Sequence, residues 1–196
     1  MSDHQPPSAE NKAAATPPPA PQPIPRDELV AQLIQLLRTG GAHPPISDVF
    51  RDLPAAAQGV RPADLPFSCW ELLEHLRIAQ QDILRFSQGP SAPSLTWPED
   101  YWPATPAPPT PDAWDDSLAQ LAADRTAFES LLLDPARDLT TPFPWGDGQT
   151  LLREALLIAD HNAWHAGQVV LIRRLLGVWT PWQPPSQPPD ASANDR

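Results

Sequence analysis

Two histidines, His161 and His165, stand four residues apart in the segment LLREALLIADHNAWHAGQVVLIRRLLG. On a helix that spacing sets both imidazoles on one face about one turn apart, which suits chelation of a single ion. Pairs of this kind also occur on ordinary helix faces, so the pair alone does not define a site. His75 adds to the pattern. It lies within a second periodic segment, on a stripe shared with Leu72, Ala79 and Ile83 that points inward. By itself His75 would serve equally as a hydrogen-bonded core histidine; the three together point to a metal centre built by two packed helices. The other histidines are set aside: His4 stands in a proline- and alanine-rich tail, and His43 precedes Pro44 and Pro45 in a loop.

Three neutral imidazoles suit zinc, nickel, iron or copper better than calcium or magnesium, which prefer oxygen donors. Three protein ligands leave a coordination position open, as in catalytic rather than structural sites. An ion held this way can acidify water for hydrolysis, or stabilise a thiolate and deliver sulfur to a carbon centre. Glu71, Glu74 and Glu154 are candidate general bases, none singled out by position. Asp160 neighbours His161 but projects about 100° away on a helix, which makes it a poor co-ligand. Trp97, Trp102, Trp145, Trp164, Trp179 and Trp182 could wall an apolar pocket, with core packing the competing use.

The elements that must position these residues follow from periodicity. Leu29, Leu33, Leu36 and Leu37 predict a helix over 26–38, stopped by Gly40 and Gly41, and 46–53 reads as a short helical turn. Ser68-Cys69-Trp70-Glu71 has the form of a capping box, which starts a helix running to about Ser87. Thr110 and Pro111 read as N-cap and first residue of a third long helix, carrying Trp114, Leu118, Leu121, Phe128 and Leu132 and ending near Asp134. Thr150 caps a final helix from Leu151 to about Leu176, closed by Gly177. No segment alternates with period two. Four main helices predict an all-α bundle with long loops.

Proline marks the boundaries, since 21 of the 29 prolines fall in 1–25, 89–111 and 178–196, where they forbid continuous helix. Residues 1–25 read as a disordered tail, 26–178 as the bundle domain and 179–196 as a C-terminal tail. Residues 89–111 read as a long connection whose Trp97, Tyr101 and Trp102 favour docking on the bundle. Residues 26–177 carry 20 acidic and 11 basic side chains, and no basic stripe is present, so nucleic acid is not an expected partner. No signal-peptide or membrane-length apolar stretch is seen, and Cys69, the lone cysteine, cannot form an internal disulfide. A cytoplasmic protein without membrane partners is the expectation.

The segments PFSCWELLEHLRIAQQDILRF and GDGQTLLREALLIADHNAWHAGQVVLIRRLLG resemble the DinB-like superfamily, which places one histidine in the second helix of a four-helix bundle and an HxxxH pair in the last. The resemblance covers roughly Arg26 to Trp179 and fills all three ligand positions with His75, His161 and His165. It implies thiol-dependent S-transferases and isomerases, or metal-dependent hydrolases, acting on a small-molecule substrate. It also implies homodimers, and a low-molecular-weight thiol as co-substrate. A non-catalytic, stress-related metal or small-ligand binding protein would carry the same ligands. The resemblance assigns no role to the aromatic connection or the tails.

Overall fold

The computed structural model describes residues 24–90 and 95–180. Among them are six α-helices and no strand: α1 (Arg26–Thr39), α2 (Ile46–Phe50), α3 (Ala55–Gln58), α4 (Cys69–Gln88), α5 (Ala113–Leu133) and α6 (Leu151–Leu175). The four long helices form the expected all-α bundle. Most of both expected tails, 1–23 and 181–196, lies outside the described residues.

α4 is the spine. Its start is fixed by the capping box: Ser68 Oγ accepts the Glu71 N–H at 3.1 Å, and the Glu71 carboxylate accepts the Ser68 N–H at 2.8 Å. Cys69, Leu72, Leu73 and Leu76 are fully buried along it. One core cluster gathers around its first half with Val49, Phe50, Trp114, Val169 and Ile172. A second joins Leu84, towards its end, to Val30, Leu33, Phe128, Leu151 and Ile158.

Helix directions follow from side-chain pairings. Glu74 accepts from Ser117 Oγ, Gln80 donates to the Leu121 carbonyl, and Arg137 donates to the Ser87 carbonyl. Both numbers rise together, so α4 and α5 run parallel. Against α6 they run opposite ways: His75 meets His161, while Asp82 and Phe86 share a cleft with Arg153 and Gln149. A parallel pair cannot be joined by a tight turn. The chain must travel back along a 20-residue helix, about 30 Å, before α5 begins. The proline-rich connection is that return path.

It is docked along its way. Tyr101, in a short 3₁₀ turn over Glu99–Tyr101, donates its hydroxyl to Asp82 at 2.6 Å. Further on, Ser68 Oγ donates to the Pro106 carbonyl at 2.6 Å. Ala107 then presses on Gly59, where a Cβ would lie 2.3 Å from the Ala107 Cβ.

Two boundaries differ from expectation. α5 starts at Ala113 behind Asp112, not at Pro111, because Thr110 to Ala113 close as a turn in which the Thr110 carbonyl accepts the Ala113 N–H at 3.3 Å. Residues 55–58 form the short helix α3 where a loop was expected; Pro54 supplies the fixed φ that starts it, and its carbonyl accepts the Ala57 N–H. Thr150 caps α6 through the Arg153 N–H at 3.1 Å, as expected.

Candidate metal centre

α4 brings His75, and α6 brings His161 and His165, to one point. His75 Nε2 and His161 Nε2 are 3.0 Å apart, and one ligand nitrogen from each of the three rings lies within 4.8 Å of the others. Two nitrogens held tetrahedrally at zinc-like distances lie about 3.3 Å apart. The facing pair lies close to that spacing. The donor set therefore fits a divalent transition metal.

The rings are held from behind. His75 Nδ1 meets the Tyr101 carbonyl at 2.9 Å and His165 Nδ1 meets Gln168 Oε1 at 2.6 Å. Both partners are acceptors, so each Nδ1 carries the proton and each Nε2 presents its lone pair, the arrangement usual behind metal-binding histidines. His75 also stacks face to face on Trp102, with ring centres 4.0 Å apart and 4° between planes. Trp102 in turn stacks on Phe67 at 4.4 Å.

Burial decides the protonation. His75 and His165 are only 3% and 6% exposed, and burial holds both below the ordinary imidazole range, against the raising effect of the Tyr101 carbonyl and of Gln168 respectively. His161 is pushed down to about 3, by burial first and then by the neighbouring His165 and His75. All three are neutral near pH 7, as ligands must be.

The candidate carboxylate bases on α4 and α6 are already engaged. Glu71 is bound by Arg61 and the Ser68 N–H. Glu74 is bound by Arg77 at 2.8 Å and by Ser117 at 2.6 Å, and Glu154 by Arg153 at 2.7 Å. None of these three carboxylates joins the histidine cluster among the described residues. Asp160 is exposed, and His43 turns to the Pro44 carbonyl. Cys69 is fully buried, and burial pushes its thiol up to about 12, which rules it out as a nucleophile at neutral pH.

The tryptophans divide by use. Trp102 walls the centre, and Trp97 stands at its edge, 67% exposed and 6.3 Å from the His75 ring. Trp145 instead packs on Phe143 and donates to the Phe86 carbonyl. Trp164 points to solvent, Trp179 lies under Arg173, and Trp182 falls outside the described residues. Sequence reasoning missed Gln168 and the Tyr101 carbonyl. Gln168 stands three residues after His165, a helical neighbour that spacing alone could have found; a main-chain carbonyl from a loop leaves no such signal.

No helix among the described residues is long and apolar enough to cross a membrane. Comparison with protein families matches the DinB superfamily model over residues 46–169, a span that contains all three histidines and omits α1. Neither the curated proteins nor the solved structures give a match.

Proposed function

The chain belongs to the DinB superfamily, and on that premise we propose that His75, His161 and His165 hold one divalent transition metal ion, zinc, nickel or iron, at which a small-molecule substrate reacts. The observation that carries this reading is the convergence of three neutral imidazoles from two helices, two of them buried and His161 half-buried, with the Nε2 atoms of His75 and His161 3.0 Å apart. When bound, such an ion supplies a Lewis-acid centre that lowers the pKa of a thiol or water ligand.

The chain's own residues supply orientation and exclusion. Tyr101 and Gln168 fix the ring tautomers, while Trp102 and Phe67 wall off one side from water. Hydrolysis aided by a protein base needs a carboxylate or imidazole within hydrogen-bond reach of the attacking water. Glu71, Glu74 and Glu154 are each committed to arginine. A thiol is far more acidic than water and, at a bound ion, would lose its proton to solvent without the help of a protein base. We therefore favour a thiol-dependent S-transferase over a hydrolase.

Elemental analysis of the full chain, purified without a histidine tag and refilled with zinc, nickel or iron, tests the centre: about one ion per chain is expected, and a ratio near zero overturns the reading. A screen of low-molecular-weight thiols against a small electrophile then tests the reaction. Turnover that vanishes on chelation and returns with metal supports transfer; stabilisation without turnover indicates a binding protein.

A further inference from the structure

We propose that the cleft between α4 and α6 beside the three-histidine centre is a substrate subsite for a positively charged group, an ammonium above all, with Asp82 as its anchor. The inference rests on the proposed metal centre only for where the reacting end of the substrate lies.

The cleft has a volume of about 250 Å³ and is walled by Asp82, Ile83 and Phe86 of α4, Tyr101 of the return connection, and Arg153 and Leu157 of α6. Tyr101 and Leu157 connect it to the histidines. Leu157 precedes His161 by one helical turn. Tyr101 lines the cleft and gives its carbonyl to His75. Asp82 follows His75 by seven residues, two turns, which places the two about 10 Å apart along the helix. A substrate with its reactive end at the histidines and a short spacer would reach Asp82 with its other end.

The charges choose the ligand. Arg153 is the cleft's cation, and it is spent on Glu154, a carboxylate only 2% exposed. Asp82 is half-buried, accepts the Tyr101 hydroxyl, and has no arginine, lysine or histidine within ion-pair distance among the described residues. The cleft thus carries two carboxylates against one guanidinium inside walls of Ile83, Phe86 and Leu157. A cation completes this set, whereas an anion would face the Asp82 carboxylate, which has no ion-pair partner among the described residues. The apolar walls suit an aliphatic spacer. The ligand class is therefore an amine-bearing small molecule whose nucleophilic or electrophilic end lies about 10 Å from its ammonium.

Two binding arms test this. In the first, hexylamine and hexanol are titrated calorimetrically into the metal-free full chain. The amine is expected to bind about tenfold more tightly, and Asp82→Asn should abolish that preference. Tyr101→Phe, which keeps the carboxylate, should retain it. Equal affinities, or a preference that survives Asp82→Asn, would overturn the subsite. In the second arm the cobalt-loaded chain is titrated with aminohexanethiol and hexanethiol, read by cobalt–thiolate absorption. The amino compound is expected to saturate at about one tenth the concentration. Should both thiols saturate together, the metal centre stands and the subsite falls. Should cobalt not be taken up while the amine preference persists in the first arm, the subsite stands and the metal centre falls.

Discussion

Two groups of buried polar side chains lie along α4, and they are treated in opposite ways. At its N-terminal end Glu71 and Glu74 have their oxygens engaged: Glu71 by Arg61 and the Ser68 amide, Glu74 by Arg77 and Ser117. Next to Glu74 in sequence, and one turn beyond Glu71, His75 has its Nδ1 bonded but turns its Nε2 toward two other imidazoles. Burying carboxylates is tolerable only when they are paired, so the first group is explained by folding alone. The second gathers three lone-pair donors at one point and gains little for the fold by doing so. Saturated polar groups hold the bundle together; pre-oriented groups with capacity left over mark where a ligand belongs.

Substitutions should separate the two groups. The largest contrast comes from His161→Ala, which removes half of the α6 pair. Zinc affinity measured by competition with a chelator is expected to fall on the order of 100-fold or more, with the metal-free melting temperature nearly unchanged or raised. Glu71→Ala should do the reverse: about 2 kcal/mol lost in denaturant unfolding, from the cap and the orphaned Ser68 N–H, with zinc affinity kept. Equal effects of both variants on both measurements would erase the distinction. Gln168→Ala, which frees His165 Nδ1, should weaken zinc by about tenfold while leaving unfolding within about 0.5 kcal/mol.

The gentlest contrast lies in pH. The folded protein holds His161 below its ordinary value, to about 3, so only the unfolded chain takes up that proton as pH falls below about 6.5. Metal-free stability should therefore begin to decline there. Burial raises Glu71 and Glu74, but their arginine and hydroxyl partners overcome it and hold both below the ordinary carboxylate range. Their contribution is present above about 4.5 and is lost only as pH falls further. Melting temperature followed from pH 8 to 4 should show the upper decline reduced in His161→Asn and preserved in Glu71→Gln; an unchanged upper limb in His161→Asn would contradict the assignment.

Much of this was legible because it is local. The i,i+4 spacing of His161 and His165 needs only a helix, and the period of Leu151, Ile158, Ala166 and Val169 predicts one. Ser68 and Glu71 announce the start of α4 three residues apart. His75 was reachable because its apolar stripe fixes which way it faces. What the sequence concealed depends on topology. That α4 and α5 run parallel cannot be read from either helix, so sequence reasoning assigns the connection a docked course but no reason for its length. The same blindness hid the Tyr101 carbonyl, which reaches His75 across 26 residues of chain, and shifted the start of α5, where Thr110, a good capping residue, is used to close a turn instead.

The hydrogen bond that the return connection gives His75 comes from a main-chain oxygen, an atom every amino acid possesses. Replacing the residue at 101 alters the phenol and its partner on α4 but cannot delete that acceptor. Drift in composition at position 101 should therefore be cheap for this hydrogen bond, provided the segment keeps its course and Trp102 keeps its stack on the His75 ring. Shortening it by one or two residues would pull the oxygen out of register and be felt at once. Among related chains, the trace of this hydrogen bond is to be sought in segment length, not in the letter at position 101.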